Sequence, residues 1–489
     1  MTTAQLCATV AADSMAELRH RRDDVQGADL VELRLDGVRD LDVAGALAGR
    51  SSRVIVTCRP TWQGGRYDGD EQSRVALLEQ AWTLGAEYVD VEDGAAEALM
   101  RRSHGARIVR SYHDFAGVPA DAAGRLRSLL ASGAEVVKFA AMANSLTDVV
   151  TLADLARATG GRVVVVAMGP CGEASRILAA HLGSPWTYAG DGAAPGQLPL
   201  ARMRDEFQVP AITSATAVYG LVGRPVEHSP SPAMHNAAFR AAGLDAVYVP
   251  LHAVDFLDFE AFAAAFHVRG VSVTAPYKVD AHRAASVAWD DAGLGAANTL
   301  RRTDHGWEGR NTDIEGFLAP LAGRLLRRMR VSVLGAGGAS RAVAAALSSA
   351  GAVVRLHARR DGAARATATS CGVDAGAWPP ARDWDMLVNA TPVGTAPRVD
   401  DMPVTLEGPL TGRLVYDLVY NPPDTALLRR ARSLGAEVIG GLPMLVAQAA
   451  AQFHWWTGMS PSSSLMYDAA RTRLAGSLSP APYDTHHVR

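Results

Sequence analysis

Two lysines stand where the surrounding pattern predicts buried strands. Lys138 lies in AEVVKFA, residues 134–140, and Lys278 closes GVSVTAPYK, residues 270–278. Dehydrating an ammonium is costly unless it finds a partner, so a lone lysine there would be a snorkelling edge residue. The company each one keeps points to chemistry instead. With Lys138 go Glu32, Arg34 and Asp36 of ELRLD, then Arg59, His113, Arg176 and Gln197. A desolvated lysine near other cations gives up its proton more readily and becomes a nucleophile towards ketones. His113 can serve beside it as general base and acid. Glu32, Arg34, Arg59 and Arg176 suit a polyhydroxylated carboxylate, arginine being shaped for bidentate carboxylate recognition. Asp36 reads as a paired structural charge. These residue types define an imine-forming site for an anionic ketone. With Lys278 go Ser229, Ser231, Asn298 and Asp313, a second polar cluster.

Such residues need elements that converge. Over residues 1–206, short apolar runs alternate with helical patterns. The runs are QLCATVA from Gln5, ADLVELRLD from Ala28, RVIVTCR from Arg53 and EYVDVE from Glu87. ARIVRSYH from Ala106, AEVVKFA from Ala134, RVVVVAM from Arg162 and PWTYAG from Pro185 complete the set. Eight strands and eight helices predict an α/β fold, a (β/α)8 TIM barrel, whose active site lies at the C-terminal ends of its strands. Period-2 alternation puts Glu32, Arg34 and Asp36 on one face and Leu33 and Leu35 on the other. Arg59 ends the third strand, His113 the fifth, and Lys138 lies late in the sixth. Arg176 opens the helix after the seventh, and APGQ, with Gln197, follows the eighth.

EFQVPAITSATA, residues 206–217, reads as a short linker. A second architecture follows. YGLVGRPVEHSPSPAMHNAAF is a strand that enters a helix at Ser229–Pro232, where serine at the cap and proline in the first turn suit a helix start. That N-terminus is also a ready anion site for the two hydroxyls. GVSVTAPYK is a strand ending in a turn that presents Lys278, while GAANT brings Asn298 and GRNTD brings Asp313. VSVLGAGGASRAVAAAL, residues 331–347, is strand, glycine turn and helix. Gly335, Gly337 and Gly338 let backbone amides approach a pyrophosphate, and Ser340 stands where GxGxxG has its third glycine. About 20 residues on, where an NAD site places a carboxylate, Arg359 and Arg360 stand instead, a pair suited to the 2′-phosphate of NADP. WDMLVNA and RLVYDL extend this Rossmann sheet, and GGLPMLVAQAAAQF from Gly440 reads as a return helix.

At 489 residues the chain exceeds one hydrophobic core. A net charge of -3 without long charge runs argues against nucleic acid or an acidic membrane surface as partner. Cys7, Cys58, Cys171 and Cys371 form no CxxC pair and read as small buried hydrophobes in a reducing compartment, with no metal expected. The first residues, MTTAQLCATVAADS, lack a basic region followed by an apolar core, so no signal peptide is expected. The longest strand-like apolar run is VVVVAM from Val163, far short of a membrane span, and a cytoplasmic location is expected. The oligomeric state stays open.

Taken in order, ELRLD, TCRPxWxGG, SYHDF, VKFA, GEASR and APGQ resemble type I 3-dehydroquinate dehydratase across nearly all of residues 1–206. That resemblance implies an imine between Lys138 and the C3 ketone of 3-dehydroquinate, with His113 moving the protons and 3-dehydroshikimate as product. HSPSP, SVTAPYK, AANT, RNTD, GAGGASR, NATPVG, YDLVY and GLPMLVAQ resemble shikimate dehydrogenase. This second resemblance implies Lys278 and Asp313 as the catalytic pair and NADPH as reductant. Ser229, Ser231, Thr274, Asn298 and Gln448 would hold the shikimate ring. Gly335, Gly337, Gly338, Ala339, Ser340, Arg359, Arg360, Asn389 and Thr391 would hold the cofactor. The implied organisation is a dehydratase over 1–206, a linker over 207–217 and a substrate lobe over 218–325. An NADP-binding lobe over 326–440, return helices over 441–475 and a tail over 476–489 follow.

Four positions depart from, or vary within, these families. Gln63 replaces the dehydratase glutamate, which should leave His113 less basic and the dehydratase slower, and Ala193 replaces its serine. Ser272 is the residue found in dehydratase–dehydrogenase fusions, and Ala358 replaces the asparagine of NADP-dependent members. Two other readings share the motifs. One is an NAD-linked quinate/shikimate dehydrogenase with an impaired dehydratase, which Arg359 and Arg360 oppose. The other is a non-catalytic metabolite sensor, which Lys138, His113, Lys278 and Asp313 oppose.

Overall fold

The structure is a computed structural model that describes residues 3–95, 99–100, 107–192, 194–289 and 293–477. The eight expected strands all form: β1 (Gln5–Ala11), β2 (Leu30–Arg34), β3 (Arg53–Thr57), β4 (Tyr88–Glu92), β5 (Ile108–Asp114), β6 (Val136–Met142), β7 (Val163–Met168) and β8 (Trp186–Ala189). They pair in parallel in the order β7-β6-β5-β4-β3-β2-β1-β8, a nearly closed barrel. Alternation decides which side chains enter its interior. Cys7, Leu30, Ile55, Val109, Val136 and Val164 fill its apolar part. Two residues further along these strands, on all but β7, where Val166 stays apolar, the inward positions turn polar: Thr9, Glu32, Thr57, Ser111 and Lys138. The outward residues of the strands, such as Val31, Leu33, Val54, Val56, Val89 and Val91, pack beneath helices through Leu18, Leu78 and Ala81. At about 1.5–3 kcal/mol for each large apolar side chain removed from water, this outer layer is the main source of the barrel's stability.

Helices Met15–Asp23, Val43–Leu47, Glu71–Thr83, Ala122–Ala131, Leu146–Arg157 and Glu173–Ile177 follow β1, β2, β3, β5, β6 and β7. Most of the helix expected after β4 lies outside the described residues. The eighth is no full helix but a five-residue π-helical turn, Arg202–Glu206. The expected linker is also structured. Val209–Ala211 is a 3-10 turn, Thr213 bridges to Thr3, and the Thr216 hydroxyl donates to Asp245 at 2.7 Å.

The chain divides into two compact units, residues 1–227 with 245–268 and residues 228–244 with 269–489. The first unit thus includes, beyond the barrel, β9 (Ala217–Gly223), β10 (Ala246–His252) and helix Phe256–Ala265, with β9 and β10 paired in parallel. In the second unit, β11 (Gly270–Val273), β12 (Ala285–Trp289), β13 (Thr299–Thr303) and β14 (Gly306–Arg310) lie in the order β11-β13-β14-β12. A parallel sheet of β15 (Arg330–Leu334), β16 (Val353–His357), β17 (Asp374–Ala375), β18 (Met386–Asn389), β19 (Leu414–Asp417) and β20 (Glu437–Ile439) follows. Its order β17-β16-β15-β18-β19-β20 is the 3-2-1-4-5-6 arrangement of a dinucleotide-binding fold. The return helix is Gly441–Thr457 and the last helix Ser463–Ser477; the rest of the tail, with His486 and His487, lies outside the described residues.

Two expectations need correction. Helix Ser231–Ala241 has Pro230, not a serine, at its cap, and Ser229 Oγ accepts from the Ser231 amide at 3.2 Å instead. Cys7 and Cys58 are buried, but Cys171 and Cys371 are partly exposed because they sit at a turn and a helix end. No described helix is long and apolar enough to cross a membrane.

Candidate active sites

At the C-terminal mouth of the barrel a cavity of about 130 Å³ is lined by Glu32, Arg34, Arg59, Gln63, His113, Lys138, Arg176 and Gln197. The barrel thus brings together every residue expected in its site. Lys138 is buried; its Nζ lies 3.5 Å from Glu32, 3.6 Å from Asp90 and 4.2 Å from the centre of the Tyr188 ring. Its nearest charges are therefore carboxylates, not the arginines expected from sequence. Glu32 accepts from Thr9 at 2.9 Å and Thr57 at 3.0 Å. Burial pushes this carboxyl up, but Lys138 and Arg34 outweigh burial and hold it below its ordinary range.

Arg59 is not poised for a substrate carboxylate. Its Nη1 donates to Asp90 at 3.0 Å, Glu92 at 2.9 Å and Ser111 at 2.8 Å, and its Nη2 donates to Asp90 at 3.0 Å. A guanidinium this committed braces the site floor and imposes charge on it. Glu92 in turn takes a 2.6 Å bond from the fully buried Arg74. Asp90, Glu92, Ser111 and Arg74 were not singled out in the sequence, although DVE in EYVDVE alternates as ELRLD does.

The His113 ring nitrogen Nδ1 lies 3.1 Å from Gln63 Oε1, and the same oxygen accepts the His113 amide at 3.0 Å. Nδ1 donating to Gln63 leaves Nε2 as the basic nitrogen. Burial, then the positive charges of Arg59, Lys138 and Arg34, hold the imidazole well below its usual range, so it is neutral at pH 7. Arg34 forms a bidentate pair with Asp36, both bonds 2.8 Å, which bears out the structural reading of Asp36. Arg176 is buried and has few partners: Nη2 donates to Pro195 O at 3.0 Å, and Nε has no hydrogen-bond partner among the described residues. Burial pushes it down to about 10, with Glu173 opposing, so it is a charged group poised for an anion. Gln197 Oε1 holds the Ala194 amide at 3.2 Å, and Ala193 lies outside the described residues.

In the second unit, Lys278 starts helix Lys278–Ala284 and donates to Asp313 Oδ2 at 2.5 Å. Asn298 Nδ2 donates to Asp313 Oδ1 at 2.8 Å, and its Oδ1 accepts the Thr312 amide at 2.8 Å. Behind Asn298 stands Gln452, which sequence reasoning missed. It donates to Thr299 Oγ1 at 3.0 Å and accepts from Ser272 at 2.7 Å. Its position, one helical turn after Gln448, was the available signal. Ser229 and Ser231 pair at 3.1 Å, Gln448 is nearly buried with its amide on Leu445 O, and Thr274 is partly exposed just beyond β11.

The cofactor residues divide. Gly337 and Gly338 are exposed, and a methyl group at either would meet nothing within 4 Å. Helix Gly338–Ser349 starts there, and its first amides, those of Gly338, Ala339 and Ser340, are beyond reach of intrahelical acceptors and suit a phosphate. Gly335 has φ 120°, and a Cβ there would fall 2.7 Å from Ser340 Oγ. The Ser340 hydroxyl therefore packs inside the turn, and only its amide can serve a ligand. Asn389 is likewise fully buried: it donates to Asp417 at 2.8 Å and accepts from Thr391. It shapes the loop that carries Thr391. Arg359 and Arg360 are exposed and form no ion pair among the described residues, Asp361 being taken by Arg365 at 2.7 Å. These features fit a phosphorylated dinucleotide.

A barrel with a lysine-centred polar mouth, joined to a dinucleotide-binding α/β fold, defines a fusion of two enzyme classes. The family model of type I 3-dehydroquinase matches residues 6–213. Those of the shikimate dehydrogenase substrate binding domain and the shikimate 5′-dehydrogenase C-terminal domain match 221–300 and 441–471. The chain is 31% identical over 507 residues to the chloroplastic bifunctional 3-dehydroquinate dehydratase/shikimate dehydrogenase of Arabidopsis thaliana, covering 94% of this chain and 83% of the relative. It is 42% identical over 277 residues to a shikimate dehydrogenase (NADP(+)) of Anaeromyxobacter, covering 52% of this chain and 96% of that one. The crystal structure of Aquifex aeolicus shikimate dehydrogenase is 33% identical with a TM-score of 0.50, over 53% of this chain and 99% of that one. The chain belongs to the family of bifunctional 3-dehydroquinate dehydratase/shikimate dehydrogenases.

Proposed function

We infer that the protein catalyses two consecutive steps of the shikimate pathway. Its barrel dehydrates 3-dehydroquinate to 3-dehydroshikimate, and its second part reduces 3-dehydroshikimate to shikimate with NADPH. The observation that carries the first activity is Lys138, buried in the cavity with His113 and Arg176 around it. The Lys138 amine attacks the C3 ketone and releases water to form an imine, which acidifies the C2 proton. His113 Nε2 takes that proton and returns it to the departing C1 hydroxyl, which leaves as water. Hydrolysis of the imine consumes one water and frees both lysine and product, so one water is lost overall. Arg176 pairs with the substrate carboxylate, and Glu32 and Arg34 face its hydroxyls.

In the second site, the bound nicotinamide supplies the hydride. Lys278 gives a proton to the C3 oxygen as it becomes an alcohol, Asp313 orients Lys278, and Asn298 fixes Asp313. Ser229, Ser231, Thr274 and Gln448 border the ring. Borohydride reduction in the presence of 3-dehydroquinate tests the first mechanism. We expect a substrate-derived mass on Lys138 in the wild type and none in Lys138→Ala. An adduct at another residue, or none in the wild type, contradicts it.

A further inference from the structure

Residues that follow the barrel in the chain sit on its catalytic rim, within the same compact unit. His252, at the end of β10, is buried. Its Nε2 lies 3.4 Å from Glu173 Oε2, and its Nδ1 lies 3.6 Å from Glu227 Oε1. Glu173, also buried, opens the helix Glu173–Ile177, and Arg176 stands three residues on, on the same helix face. The neighbouring rim loop, which follows β6 and Lys138, is held in a similar way. Asp258 accepts from the amides of Leu146 at 3.0 Å and Thr147 at 2.8 Å, and from the Thr147 hydroxyl at 2.8 Å. It thereby caps the first turn of helix Leu146–Arg157 from outside.

Arg176 has little else to hold it. Among the described residues its side chain keeps one hydrogen bond, to Pro195 O, so its placement depends on its short helix and on the charge of Glu173. Glu173 in turn lies close to two nitrogen-bearing side chains among the described residues, His252 at 3.4 Å and Arg202 at 3.9 Å. Without the histidine, the carboxylate is left to the arginine alone, and the turn that carries Arg176 loses its outer anchor. Displacements of about 1 Å at a substrate-holding group are costly.

We propose that His252 is a positioning residue for the dehydratase: by holding Glu173 it sets the helix from which Arg176 meets the substrate anion. The part of the chain beyond the barrel would thus complete the barrel's own substrate site. The inference rests on the reading that Arg176 pairs with the substrate carboxylate. Steady-state kinetics on full-length His252→Ala, His252→Gln, Glu173→Gln and Arg176→Gln test it. We expect His252→Ala and Glu173→Gln to raise the KM for 3-dehydroquinate roughly three- to thirtyfold, within the span of couplings between contacting residues. The dehydratase kcat should stay within about twofold. His252→Gln, which keeps a polar side chain in contact reach of Glu173, should recover most of the loss, and the KM for 3-dehydroshikimate should not move. An unchanged dehydratase KM in both His252→Ala and Glu173→Gln, while Arg176→Gln raises it, overturns the proposal alone. Parallel losses in both activities, not rescued by glutamine, overturn it in favour of general destabilisation. An unchanged KM in Arg176→Gln removes the underlying reading and the proposal with it. If His252→Ala fails to fold, Glu173→Gln decides, since it removes a charge at nearly constant volume.

Discussion

In the proposed mechanism, His113 and Gln63 set the pH behaviour of the barrel. Burial and the cations Arg59, Lys138 and Arg34 disfavour the imidazolium, so the neutral base persists below the usual histidine range. The acid limb of dehydratase kcat/KM should accordingly fall at a pH below about 6.5. Glutamate in place of Gln63 would set a carboxylate against Nδ1, where an amide oxygen now sits at 3.1 Å. A carboxylate favours the imidazolium, so Gln63→Glu should move the acid limb to higher pH and raise turnover. An unchanged profile would contradict this role for Gln63. Much of this site was legible from residue type: Lys138, His113, Arg176 and the Gln63 departure all stand in one cavity. The partners were not. Sequence shows that Arg59 is charged but not that Asp90 and Glu92 occupy it, because those strands meet only in the closed sheet. Nor does it show that the hydroxyl of Ser340 and the amide of Asn389 point inward.

Strands and turns place these groups. All eight barrel strands were readable, because alternation and apolar runs are local signals, whereas the π-helical turn at Arg202–Glu206 carries no such periodicity. The turn that carries Gln63 depends on close packing. A Cβ on Gly65 would fall 2.0 Å from the Arg59 carbonyl oxygen. Gly65→Ala should therefore displace the Thr61–Gln63 turn and lower dehydratase kcat/KM, at a stability cost of about 1–3 kcal/mol. Dehydratase kinetics and thermal unfolding check both effects. At the tip of β16, Arg359 and Arg360 form no ion pair among the described residues. Replacing both with alanine should raise the KM for NADPH by about tenfold or more and leave that for NADH nearly unchanged. Equal effects on the two cofactors would show that these arginines do not read the 2′-phosphate.

At the scale of the whole molecule, one chain carries two polar clusters to which we assign the two activities, centred on Lys138 and on Lys278 with Asp313. Within the compact units, residues 217–227 and 245–268 group with the barrel. Local composition marks Pro210 and its neighbours as a linker, but grouping follows packing, such as the bonds from Leu146 and Thr147 to Asp258, which no local pattern encodes. The most direct test of two consecutive activities is the rate of nicotinamide oxidation when purified protein, NADPH and 3-dehydroquinate are mixed, compared with a start from 3-dehydroshikimate. We expect oxidation from both substrates, with Lys138→Ala abolishing the first and sparing the second. Oxidation from 3-dehydroshikimate alone in the wild type would contradict a working dehydratase and leave only the dehydrogenase.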